Sequence, residues 1–110
     1  MKYLLLICGE SYEAPEGSDD DSVEKTIAWA EDLDKRGIRL VGNRLADAAT
    51  TLRARDGEVL VSDGPFTETK EQILGFDLLE CADLDEAIEA ASKHPWLPHG
   101  SIEIRPVWPV

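Results

Sequence analysis

The sequence predicts an α+β sandwich of ferredoxin-like order, βαβ–βαβ, with an extra β-hairpin between the halves. Three observations carry this. Two segments have apolar residues at helical spacing, 22–36 and 84–93, and each lies between strand-like apolar runs. Asp56-Gly57, set between alternating segments, is a two-residue hairpin signal. The length of 110 residues suits one domain, 1–110, with one core.

Each element has its own local reason. Residues 3–8 form a nearly continuous apolar run, as expected for a central strand covered on both faces. In the first helix Asp21 and Glu24 have cap-like spacing, and Asp19 and Asp20 suit the positive end of the dipole. Val23, Ile27, Ala30 and Leu33 mark its apolar stripe, and Gly37 is a natural C′ residue. Residues 38–43 read as a strand, 48–55 and 58–62 as the hairpin, and 73–81 as a further strand. Asp83 and Glu86 form a second cap pair, ahead of Leu84, Ala87, Ile88 and Ala91. Pro95 stops this helix, and residues 101–107 close the sheet. Both helices then cover one sheet face and leave the other bare, so a homodimer that buries the bare face is expected.

Composition excludes several classes. Eleven Lys and Arg against 23 Asp and Glu give a net charge of −12, which disfavours nucleic acid and anionic lipid. No apolar run approaches the roughly 18 residues of a membrane span. Lys2 and the short run after it lack the length and cleavage site of a signal peptide, so a cytoplasmic location is expected. Seven acids (Glu10, Glu13, Glu16, Asp19, Asp20, Asp21 and Glu24) precede the next base, Lys25. They lack the ligand spacing of a calcium loop and read as a solvated segment. Cys8 and Cys81 sit in strand patterns as reduced apolar residues, and no metal site is expected.

The most informative stretch is Asp63-Gly64-Pro65-Phe66-Thr67-Glu68-Thr69-Lys70-Glu71-Gln72, where strand alternation stops at a Gly-Pro turn. It is either a polar connection with Asp63 capping a turn or a loop that sets acids, hydroxyls and an ammonium beside a cleft. The run resembles the signature of DGPF-domain proteins, part of the YCII-related family. Residues 1–6 and 102–107 match that family too, so the resemblance spans the chain apart from the acidic segment. It implies a dimeric α+β barrel and, through family members associated with extracytoplasmic-function sigma factors, a possible sigma-factor partner. Family members with discussed catalysis carry a histidine on the first helix, poised against an aspartate. Here that helix has none, and Thr26 and Trp29 occupy the cleft-facing positions.

His94 and His99 are the two imidazoles, flanking a Pro-rich connection. A dyad of Asp63 with His99 would serve proton transfer near neutrality, against the alternative of a solvated surface histidine. Trp29, Trp96, Phe66 and Lys70 are candidate ligand contacts, with Trp108 and Phe76 as further aromatics that fill either a pocket or the core. Arg105 is expected to pair with Glu103 or across the dimer. No phosphate loop, nucleophile elbow or zinc-protease motif is present, so no cofactor is implied. The expected function is small-molecule binding beside the motif loop, with cofactor-free acid–base chemistry as its catalytic version. The alternatives are a non-catalytic sigma-factor partner and a sensor closed by the acidic segment.

Overall fold

A computed structural model of the chain describes residues 1–10, 22–64 and 71–109. Its elements are β1 (Lys2–Gly9), α1 (Ser22–Lys35), β2 (Arg39–Arg44), β3 (Thr50–Arg55), β4 (Glu58–Asp63), β5 (Gln72–Glu80), α2 (Leu84–Ser92) and β6 (Ser101–Pro106), with a 3₁₀ turn at Leu97–His99 before β6. The main sheet has the order β2-β5-β1-β6, antiparallel throughout, and β3 and β4 form a separate hairpin. With the hairpin set aside, this order is compatible with a ferredoxin-like fold.

The expected punctuation is in place. Gly37 has φ +70° and closes α1: Ile38 N–H donates to Leu33 O at 2.9 Å and Gly37 N–H to Asp34 O at 3.1 Å. That is a Schellman closure, and its apolar pair, Leu33 and Ile38, is buried. Asp83 caps α2 by accepting from Glu86 N–H at 2.9 Å, while Glu86 Oε1 accepts from Ala82 N–H at 3.3 Å. Asp56 and Gly57 both have positive φ at the β3–β4 turn, as a type I′ hairpin requires.

Register divides the sheet into two faces. Tyr3 lies opposite Leu79, Leu5 opposite Asp77 and Ile7 opposite Gly75, so these residues share one face. Leu5 and Leu79 are fully buried there, beneath Trp29 and Leu33 of α1 and Ala87, Ala90 and Ala91 of α2. The opposite face carries Leu4 and Leu6 of β1 with Phe76 and Leu78 of β5, all half-buried, and Val41, which is exposed. β1 is therefore covered on one face only in the single chain, where its continuous apolar run predicted two.

Two further expectations change. Val23 and Ile27 belong to the apolar stripe of α1, yet they are 58% and 53% exposed, because the first turns of α1 stand off the sheet over a cavity. On α2 the buried residues are the alanines, while Leu84 and Ile88 are exposed. Small side chains let that helix approach the sheet closely, and its branched residues face outward. Cys81 is buried, Cys8 is half-buried, and both are free thiols. Arg105 pairs with Glu103 at 3.6 Å on the surface.

Candidate active site

Under the first half of α1 lies a cavity of about 300 Å³, lined from the sheet, from α1 and from the segment after α2. Its apolar wall includes Ile7, Ile27, Trp29 and Trp96; its polar groups include Thr26, Arg39, Arg44, Asp77 and His94. Among the described residues, Asp77 and His94 are the buried polar ones, each 6% exposed. A buried ionisable group needs a partner or a neutral form, and the two use different solutions.

Asp77 takes a partner. Arg39 Nε–H donates to Asp77 Oδ1 at 2.9 Å, while the other guanidinium nitrogens reach Gly42 O at 3.0 Å and Asp34 Oδ1 at 3.2 Å. Asp34 is on α1, so Arg39 ties the helix to β5 and holds the carboxylate. Gly42 makes room for it: a Cβ at that position would strike Asp77 Oδ1. Burial pushes the Asp77 carboxyl above its usual range, against the pull of Arg39. Among the described residues, Arg39 is the sole hydrogen-bond donor to this carboxylate.

His94 takes the neutral form. Burial lowers its pKa to about 4, so the ring is uncharged near pH 7. Its Nδ1 accepts from Trp96 N–H at 3.0 Å, which leaves the proton on Nε2. Nε2–H is thus the donor this residue has left for a ligand. The ring stands edge-on to Trp29, with centroids 4.5 Å apart, and Trp29 is fixed by its own bond from Nε1–H to Ala90 O at 2.9 Å. Trp96 Nε1–H in turn donates to Cys8 O at 3.2 Å, anchoring the segment after α2 to the end of β1.

The residues singled out in the sequence fall in different places. Trp29 and Trp96 line the cavity, as does Thr26. Asp63 is exposed at the end of β4, and His99 is exposed on the 3₁₀ turn with its ring 5.4 Å from that of Trp96; neither lines the cavity. Trp108 is 84% exposed. Phe66, Lys70 and most of the acidic segment lie outside the described residues. Among the described residues no group of three or more His, Cys, Asp and Glu could hold a metal ion. Asp77, Arg39 and Arg44 were not anticipated. The available signals were a carboxylate in the middle of a mostly apolar strand and glycines inside two strands, Gly42 and Gly75, which mark close approach.

Fold and cavity together define a small α+β domain whose first helix roofs a mostly apolar pocket with a few polar groups on the sheet. The family model of the YCII-related domain matches residues 1–110, and the chain belongs to that family. An uncharacterized protein of Rhizobium meliloti (strain 1021) is 40% identical over 109 residues, which covers 80% of this chain and 85% of that relative.

Proposed function

We propose that the protein binds a small organic molecule in the cavity under α1 and moves a proton on it without a cofactor. Asp77 is the base and His94 Nε2–H the neutral donor. The observation that carries this reading is the pair of buried ionisable side chains, Asp77 and His94, lining one pocket. Burial raises the basicity of a carboxylate towards the working pH, and a neutral imidazole can polarise a carbonyl without becoming charged. The cavity is at the small end of the usual range for ligand sites, roughly 300–1,000 Å³. The bland use of Arg39 and Asp77, tying α1 to the sheet, is compatible with this role because Arg39 also fixes where the carboxylate points.

The test is deuterium incorporation from D₂O into a panel of small carbonyl compounds, followed by NMR. Exchange should be catalysed by the parent and lost in a folded Asp77→Asn variant, with Asp63→Asn and His99→Ala close to the parent. Equal exchange by parent and Asp77→Asn would remove the base assignment.

A second proposal concerns assembly. The apolar face formed by Leu4, Leu6, Phe76, Leu78 and Val41 supports a homodimer in which two such faces pack together. Light scattering should give twice the chain mass for the parent and the single mass for Leu6→Glu. A parent that stays monomeric at tens of micromolar would exclude this.

A further inference from the structure

Arg39 is where the roof of the cavity meets its floor. Its guanidinium divides its donors three ways: Nε–H to Asp77 Oδ1 at 2.9 Å, Nη1 to Asp34 Oδ1 and Oδ2 at 3.2 and 3.4 Å, and Nη2 to Gly42 O at 3.0 Å. An arginine that faces one carboxylate alone can grip both oxygens with two parallel bonds. Asp77 receives a single bond, because the other two nitrogens are engaged elsewhere. Among the described residues no donor reaches its Oδ2. Asp34 lies in the last turn of α1, with its side chain 49% exposed. A negative charge at that end of a helix opposes the dipole, so its place does not stabilise α1. Its compensating contact is Arg39.

Two acids therefore share one cation. Burial is the main cause that raises the Asp77 carboxyl; Arg39 pulls against it, and the Asp34 charge adds to it. Among the described residues, the other titratable or charged groups on the cavity wall are His94, neutral near pH 7, and Arg44. From β1 the residue opposite Asp77 is the apolar Leu5. We propose that Asp34 is a positioning residue for the proton transfer: by dividing Arg39 between roof and floor, it leaves Asp77 an oxygen with which to take a proton. This deepens the reading of Asp77 as the base and rests on it. An acid at the surface of the roof helix then governs a buried acid on the sheet. A tie that only fastened α1 to the sheet would affect stability and leave the titration of Asp77 alone.

Asp34→Asn keeps the size of the side chain and removes its charge. Asp32→Asn removes the same charge from the same helix, where the partner is Arg36 at 3.2 Å. Two readouts on the full chain separate the claims: a carbon-13 NMR titration of the Asp77 carboxyl, which needs no substrate, and the pH profile of deuterium exchange into acetone and cyclohexanone. In Asp34→Asn the Asp77 midpoint should move down in pH, and the rising limb of exchange should move with it. The plateau should fall by up to about five-fold, the scale of one partly exposed charge interaction, because a weaker base removes protons more slowly. Asp32→Asn should match the parent in both readouts. An Asp77 midpoint that is the same in parent and Asp34→Asn, or that Asp32→Asn shifts equally, would overturn the role of Asp34; exchange that keeps the parent's profile in Asp34→Asn would do so while leaving the base assignment standing. A midpoint that moves in Asp34→Asn alone, with no exchange by any of the three proteins, would remove the base assignment and leave the coupling of the two acids in place.

Discussion

The two faces of the main sheet differ in what they add to a hydrocarbon layer. The face beneath the helices holds an ion pair, a neutral histidine and a cavity; the face towards solvent presents Leu4, Leu6, Phe76 and Leu78. Neighbours along one strand show the contrast: Asp77 is buried, while Leu78 next to it is only half-buried. An ion pair in a covered layer stabilises little relative to a well-packed apolar replacement, because both charges lose water. Its place on the cavity wall is what the proposed proton transfer draws on. An apolar layer left open in the single chain is the feature on which the proposed dimer rests. In the functions proposed above, the first face holds a ligand and the second meets another copy of the chain.

The largest test of this contrast compares the adjacent leucines. Leu79→Ala, at a fully buried position, should cost about 2–5 kcal/mol of stability in urea unfolding. Leu78→Ala should cost about 1 kcal/mol or less in dilute protein, with a further loss that depends on concentration if the open face is a dimer seam. Equal, concentration-independent losses would break the distinction.

Asp77→Ala comes next. It leaves Arg39 beside a void without its Nε partner, and a loss of about 3 kcal/mol is expected. Asp77→Asn, which retains an acceptor, should cost less. A negligible change in both would mean that the pair is not desolvated as its burial implies.

The third test is pH. Burial holds the folded pKa of His94 at about 4, below the ordinary histidine value of 6.5 that applies to the unfolded chain. Above pH 6.5 both states are neutral and stability is unaffected. As pH falls from 6.5 towards 4 the unfolded state binds the extra proton, and stability declines by an amount on the order of 2–3 kcal/mol. Below about 4 the folded state protonates too, and the decline ends. Asp77 works in the other direction: its raised folded pKa means the folded state takes up a proton first, which favours folding as pH falls through that raised value towards the ordinary carboxylate range. The difference between parent and His94→Gln isolates the histidine, and a flat difference between pH 7 and 4 would count against its burial as a neutral ring.

Smaller still is Gly42→Ala. The added methyl would displace the Asp77 carboxylate, with an expected cost of about 1–2 kcal/mol and a loss of any Asp77-dependent exchange. Unaltered stability and exchange would show that the carboxylate has room to move. Arg105→Gln, which removes an exposed pair with Glu103, should change stability by less than about 0.5 kcal/mol.

Much of the fold was legible because its signals are local. Gly37, Asp56-Gly57 and the Asp83/Glu86 pair each act within a few residues of themselves, so the chain alone marks where helices and the hairpin begin and end. The site was less legible. Polarity by itself argues for exposure, so Asp77 in an apolar strand and His94 before a proline carry no sign that they are buried. The Gly-Pro motif drew attention to Asp63, whose exposed place on the hairpin end does not line the cavity. The stripe of α1 likewise predicted burial for Val23 and Ile27, which roof a pocket instead.

By itself the sequence determined the element order, the caps and turns, the acidity and the surplus of apolar strand faces, because these depend on short-range sterics, periodicity and composition. Tertiary structure alone decided that Arg39 meets Asp77 across 38 residues and that a neutral His94 stands over the same hollow. Those encounters come from strand pairing and helix docking. Desolvation, the force that gives such groups their chemistry, exists only once the layers have closed over them.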